Sequence, residues 1–288
     1  MNFPYFSKDG QILSHAQAYI PLSNIAYQYG FGVYETLKIR NNILYFVDQH
    51  VDRLLHSAEQ LEMQHAFTKN AITIYIQNLI DTLIKNSDNP KFSCNIKMLL
   101  IGGARKNENA TLFILPLDPL YPNRKLYREG AKTITVHYER ALPNVKSLNM
   151  LMSFLAFRKA NELDCYDALL IDHNGNILEG TRTNFYVIKD KTIISPYEKD
   201  ILEGVTRQTV LYIAKKKGYK VIEKDIPFAH IKENRYDGAF LTSTSTKIVP
   251  INQIDDFHFE TISENIQELI KLYDTFLDES QGIFNDKG

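Results

Sequence analysis

Apolar and polar residues alternate at the start of the chain, where residues 11–20 and 33–47 read as strands. The second folds back at Asn41-Asn42, residues that tolerate left-handed backbone and favour a tight hairpin turn. From Val51 the period becomes helical: Val51, Leu54, Leu55, Ala58 and Leu61 share one face. After a break at Phe67-Thr68, Ile72, Tyr75, Ile76, Leu79, Ile80, Leu83 and Ile84 repeat that pattern, and Asn86–Pro90 ends it. Two strands follow near 92–101 and 110–117, separated by a polar loop from Gly102 to Asn109. The turn-forming run Leu117–Asn123 then marks a boundary, which predicts a smaller domain over 1–118, a linker over 119–124 and a larger domain over 125–288. The second part reads as a strand (131–138), a helix (147–163), a strand (166–172), a turn at 172–176 and two more strands. A helix (204–217), strands near 219–224, 237–243 and 247–251, and an amphipathic helix over 261–277 complete it. Strands and helices mix without a regular βαβ beat, so the pattern predicts two mixed α/β domains.

Composition narrows the class without naming a reaction. Of 288 residues, 44% are hydrophobic and 23% charged, the balance of a globular protein, and the formal net charge is −1. That lack of basic excess argues against a nucleic-acid partner. The basic run Lys215-Lys216-Lys217 sits near a helix end, where cations complement the dipole. Two distant cysteines, Cys94 and Cys165, form neither a disulfide framework nor a metal-ligand pattern, so no metal is expected and a reducing compartment fits. The first residues lack the basic and apolar regions of a signal peptide, and no apolar run approaches the roughly 18 residues of a membrane span. A soluble, cytoplasmic protein without membrane contact is expected.

Four short segments carry candidate chemistry. Pro143-Asn144-Val145-Lys146-Ser147 puts a lysine between a strand and a helix, with Ser147 as the expected N-cap. There the helix dipole and desolvation would disfavour its charge, as Schiff-base chemistry requires. Glu179-Gly180-Thr181-Arg182-Thr183-Asn184 sets a carboxylate and small hydroxyl residues in a tight turn that could fit beneath a flat ligand. Gly204-Val205-Thr206 opens a helix whose free N–H groups suit an anion. Thr242–Thr246 ends a strand in a run of hydroxyls. Each has a plainer reading taken alone: a surface lysine, a solvated turn, an ordinary helix start, an edge strand or hydroxyl turn.

Together, in this order and spacing, the blocks resemble the fold-type IV pyridoxal-phosphate enzymes: branched-chain aminotransferases, D-amino-acid transaminases and aminodeoxychorismate lyases. The resemblance runs from Tyr27–Glu35 to Thr244–Pro250, nearly the whole chain. It implies a mixed α/β fold, with a smaller N-terminal α/β domain and a larger C-terminal pseudo-barrel domain that binds pyridoxal 5'-phosphate. Lys146 would carry the cofactor as a Schiff base and shuttle a proton, and Glu179 would pair with the ring nitrogen. Arg53, in a segment similar to the family's His-x-x-Arg-Leu helix, would hold the phosphate with Val205, Thr206 and Thr244. The plainer reading of Arg53 is a surface ion pair with Asp52 or Glu59. Asn184 would support the cofactor's hydroxyl region. Tyr29 and Tyr34 would line the substrate pocket, with Arg105 and Ser245 as further substrate contacts, and the family is homodimeric.

The chain also departs from its relatives. Ser243-Thr244-Ser245-Thr246-Lys247 stands where branched-chain enzymes often show Gly-Thr-Ala-Ala-Glu, and Ser147-Leu148-Asn149-Met150 replaces Gly-Gly-Asn-Tyr. Arg105 lacks the histidine two residues away that grips a carboxylate in D-amino-acid transaminases, and Arg182 has two readings, a contact to a substrate carboxylate or, favoured, a solvated side chain. The expected reaction moves an amino group between a small apolar amino acid, foremost a branched-chain one, and a 2-oxo acid such as 2-oxoglutarate. A D-amino-acid transaminase and a lyase releasing pyruvate are the alternatives; the threonine-rich block disfavours the lyase. A non-catalytic binding protein on this scaffold is disfavoured by the presence of both Lys146 and Glu179.

Overall fold

The computed structural model describes residues 3–20, 24–103, 105, 107–119 and 121–285. The chain forms two compact units: Met1–Leu120 with Val145–Asn149, and Tyr121–Asn144 with Met150–Gly288.

In the first unit, β1 (Tyr5–Lys8), β2 (Gln11–Ser14), β3 (Gly32–Arg40), β4 (Ile43–Leu44), β5 (Cys94–Ile101) and β6 (Thr111–Leu117) make one antiparallel sheet, ordered β2-β1-β6-β5-β3-β4. The short α1 (Ile25–Tyr29) precedes β3, and the helices α2 (Val47–Gln60) and α3 (Lys69–Lys85) pack on the sheet. Alternate residues Val33, Leu37 and Ile39 of β3 and Ile96, Met98 and Leu100 of β5 bury against Val51, Leu54, Ile72, Ile76 and Leu79 of the helices. Tyr34, Thr36 and Lys38 therefore stand on the other face, half-buried. The expected turn is present, with Asn41 and Asn42 both at positive φ (52° and 66°). The strand expected over 11–20 ends at Ser14, and an unforeseen β1 pairs with it.

The helix expected over 147–163 starts later, as α5 (Leu151–Glu162), and its N-cap is Met150, with no side-chain cap bond. Ser147 is not an N-cap. The N-terminal half of β3 is an open edge, because β4 covers only Ile39 and Arg40. Residues 146–148 take that edge: Tyr34 N–H donates to Lys146 O at 3.0 Å, Leu148 N–H donates to Gly32 O at 2.9 Å, and Val33 bridges Ser147. Backbone groups without partners are costly, and this pairing supplies them, so the segment stays extended. It therefore belongs with the first unit although 125–288 was expected to form the second.

The second unit opens with α4 (Arg124–Glu129), next to the expected linker. Its sheet contains β7 (Ala131–His137), β8 (Asp167–Ile171), β9 (Ile177–Gly180), β10 (Asn184–Lys189), β11 (Thr192–Ser195), β12 (Lys220–Glu223), β13 (Gly238–Ser243), β14 (Lys247–Ile254) and β15 (Phe257–His258). Pairing runs β10-β13-β14-β7-β8-β9, and Asn184 opposite Glu179 returns β9 to β10, which closes a six-stranded ring. This is the barrel-like body expected. Leu169, Ile171, Ile177, Phe185, Val187, Leu241, Val249 and Ile251 form one of its cores. Helices α6 (Val205–Lys216), α7 (Phe228–Lys232) and α8 (Glu264–Asn285) complete the unit.

Candidate active site

In the first unit the extended Val145–Leu148 segment brings Lys146 beside β3. Its ammonium lies 4.7 Å from the centre of the Tyr34 ring, and Lys97 Nζ of β5 lies 5.2 Å from that centre. No carboxylate pairs with Lys97 among the described residues. On the helix-covered face of β3, Glu35 is fully buried in an otherwise apolar row. Arg53 donates to it from Nε at 2.5 Å and from Nη2 at 2.9 Å, and His50 Nδ1 lies 2.8 Å from Oε2. Burial pushes the Glu35 carboxyl up, but Arg53 and His50 outweigh it and hold the group far below the usual carboxylate range. His50 is fully buried, and burial lowers its proton affinity despite Glu35. With Nδ1 donating to Glu35, Nε2 is left as an acceptor, buried without a hydrogen-bond partner.

In the second unit, β9 and β10 meet in the turn Glu179–Asn184. Gly180 N–H donates to Thr183 O at 2.8 Å, and buried Asp167 receives Thr181 N–H (3.2 Å) and the Thr181 and Thr183 hydroxyls (2.5 and 3.0 Å). A Cβ at Gly180 would run into Thr183 Oγ1 and stand 2.6 Å from Asp167 Oδ2, so the turn closes only on glycine. Glu179 is buried; Oε1 accepts from Arg140 Nε at 2.7 Å and Oε2 from Leu202 N–H at 3.2 Å. Asn184 donates through Nδ2 to Leu202 O at 2.7 Å, which fixes the strap entering α6. That helix begins at Gly204 with no side-chain cap, so its first N–H groups remain available to an anion, and Val205 and Thr206 are buried there. Thr244 lies in the turn between β13 and β14, where Ser243 Oγ, Thr246 Oγ1 and Tyr166 OH are linked at 2.8 Å spacings.

Within the first unit the structure thus brings Lys146, Tyr34 and Arg53's network onto one strand. Within the second it joins Glu179, Asn184 and the start of α6 through Leu202. Tyr29 is 77% exposed, and Arg105 is an exposed loop residue. Arg53 pairs with Glu35, and Asp52 pairs with Lys69. Arg182 is exposed as expected, but its guanidinium stacks 3.6 Å from the centre of the Phe157 ring. Sequence reasoning did not single out Glu35, His50, Lys97 or Arg140. Glu35 had a signal, a charge on the apolar side of a strand whose period places it inside. Arg140 had none, because its partner is 39 positions away.

The family described as "Amino-transferase class IV" matches residues 32–254 of this chain. A "D-alanine aminotransferase" of Bacillus licheniformis is 28% identical over 258 residues, covering 86% of this chain and 87% of that protein. A "Probable branched-chain-amino-acid aminotransferase" of Rickettsia felis is 27% identical over 259 residues, with 86% of each covered. Among solved structures, a branched-chain amino acid aminotransferase of T.th. with pyridoxamine 5'-phosphate superposes with a TM-score of 0.83 at 24% identity, covering 95% of this chain and 93% of that one. The chain belongs to the class IV aminotransferases, and it is a pyridoxal-phosphate-dependent enzyme of that family. No helix among the described residues is long and apolar enough to cross a membrane.

Proposed function

We propose that this enzyme moves an amino group between a small apolar amino acid, foremost a branched-chain one, and 2-oxoglutarate, with Lys146 as the catalytic residue. The observation that carries the reading is the Lys146 ammonium held against the Tyr34 ring while its own backbone is locked to β3. Each unit by itself carries donors that suit pyridoxal 5'-phosphate: the first a held amine for an aldehyde and the Arg53 guanidinium for a phosphate, the second a buried carboxylate for a basic ring nitrogen and a helix start without a side-chain cap for a phosphate. When bound, that group supplies an electron sink for the pair released as the substrate's Cα–H bond breaks. Lys146 Nζ would take the proton from the substrate's α-carbon and hand it to the cofactor rather than back to that carbon. Glu179 keeps a proton on the ring nitrogen. The phosphate would be held by the Val205 and Thr206 N–H groups and the Thr244 hydroxyl of the second unit, and Arg53 of the first is a further candidate for it. Asn184 acts through Leu202, holding the entry to α6.

The half-buried Lys97, over the same ring as Lys146, supports a dicarboxylic acceptor, since its ammonium is open to a distal carboxylate. Tyr29, Tyr34, Arg105 and Ser245 are the candidate substrate contacts. The relatives' names support both a branched-chain and a D-alanine donor. We place the enzyme in the cytoplasm, as a homodimer; exposed Leu151, Met152 and Phe154 at the start of α5 support the pairing.

The test is the absorption spectrum of the purified protein, followed as donors are added singly. A near-visible band trapped by borohydride on Lys146, and shifted by L-leucine, L-valine or L-isoleucine, is expected. Response to D-alanine alone moves the substrate to D-amino acids, and a band indifferent to every donor favours the lyase. Lys146→Ala should abolish both the trapping and turnover; a Lys146→Ala protein that still transaminates ends the assignment.

A further inference from the structure

We propose that Arg140 is a positioning residue, one guanidinium that sets Glu179 against the main chain leading to Lys146. This deepens the reading above and rests on it. Arg140 reaches Glu179 Oε1 through Nε at 2.7 Å, and its Nη2 donates to the carbonyl of Pro143. Pro143 stands three residues ahead of Lys146 in the chain, just before the passage from the second unit into the first. The next residue, Asn144, is tied down as well: with its amide nitrogen turned inward it donates to Lys199 O and Ile201 O, both at 3.1 Å. Leu202 follows them and donates its N–H to the second oxygen of Glu179. The circuit Arg140–Glu179–Leu202–Ile201–Asn144–Pro143 is therefore closed by hydrogen bonds and two short stretches of chain.

The circuit has a consequence for Glu179 beyond rigidity. Both of its oxygens are engaged, one by a cation and one by a backbone N–H, and the side chain of Arg140 is itself only 15% exposed. An arginine fork can hold a carboxylate and a carbonyl together in fixed geometry; a lysine carries the same charge from a single point and cannot. Charge and geometry are therefore separable by substitution. Arg140→Lys keeps the cation and gives up the double grip, whereas Arg140→Gln gives up both.

The experiment has two independent readouts, with Arg182→Gln as a control at an exposed arginine. In the cofactor-free protein, amide hydrogen exchange across residues 141–145 and at Leu202 is expected to speed up about tenfold in both Arg140 variants and not in the control. In the loaded protein, kcat is expected to fall about 100-fold in Arg140→Gln with KM nearly unchanged, as a group misplaced before the transition state dictates. The pH midpoint of the near-visible band is expected to move in Arg140→Gln and to stay closer to wild type in Arg140→Lys. Unchanged exchange in both variants overturns the clamp. Normal kcat and normal band titration, whatever happens to the melting temperature, reduce Arg140 to a structural ion pair and overturn the positioning role. A wild-type protein with no borohydride-trapped Lys146 fails the functional reading instead. The exchange result then still decides the circuit, and Arg140→Lys serves if Arg140→Gln does not fold.

Discussion

At the scale of single residues, the chain places charge where a hydrophobic count would not. Glu35 sits on the buried side of β3, where Arg53 neutralises it and both Arg53 and His50 hydrogen-bond it. Removing one member of such a buried group strands the others, which costs about 3 kcal/mol or more. Glu35→Gln should therefore melt at clearly lower denaturant at pH 7, measured by urea unfolding. The pH dependence has a defined sign. Glu35 is depressed in the folded protein, so its contribution is present above its unfolded value, about 4.3, and is lost as pH falls below that. His50 is also depressed: the unfolded imidazole takes a proton near about 6.5 while the folded one resists, so acidification favours unfolding from there down. Burial raises the Asp167 carboxyl, which works the other way and favours folding in acid. The diagnostic is therefore the difference between wild type and Glu35→Gln, which should shrink steadily below pH about 4.5. A difference constant from pH 7 to 3 would mean that Glu35 is not an ion in the fold.

At the scale of elements, two short passages decide more than the strands and helices they join. Gly204 starts α6 without a capping side chain, and a Cβ there would run into Asn184 Oδ1. Gly204→Ala should push Asn184 off Leu202 and disturb the first turn of α6 while the remaining turns persist. Cofactor titration of the apo-protein, read by fluorescence quenching, should show affinity weakened by about tenfold or more, with an unaltered far-ultraviolet circular dichroism spectrum. Wild-type affinity would remove the helix start from the phosphate site. The other passage is Val145–Asn149. The notion of a helix beginning at Ser147 rests on a hydroxyl followed by an apolar run, a sound local rule. It loses to the open edge of β3, which offers backbone partners to residues 146–148 that a helix start would leave wanting. Local pattern finds α2, α3 and α6 within a few residues because each carries a long apolar stripe of its own.

At the scale of the molecule, the exposed apolar residues of α5 matter most. Leu151, Met152 and Phe154 are 65%, 45% and 58% exposed, side by side in the first turn, while Ser153 and Ala156 turn inward. Apolar side chains gathered this way mark association more often than solvent-facing surface. Leu151→Glu with Phe154→Glu should shift the protein to a species of half the mass in sedimentation velocity, with each unit's secondary structure intact. A wild type already sedimenting as a monomer at micromolar concentration would end the homodimer reading. The closure of the ring belongs to this scale too: Asn184 opposite Glu179 joins the last strand to the first, so two residues five apart in sequence become neighbours on the barrel seam.

The amino-acid sequence by itself determined the class and singled out the candidate reacting residues, because both are read from side-chain chemistry at short spacings: a lysine before Ser-Leu-Asn, a carboxylate before glycine, a glycine before a helix. It also determined the elements whose periodicity is long enough to stand alone. Only the tertiary structure decided which backbone edge receives the lysine segment, which anion holds Arg53, and which cation shares Glu179. Those choices depend on partners 18 to 116 positions away, brought close by sheet pairing and packing, and no local pattern encodes them.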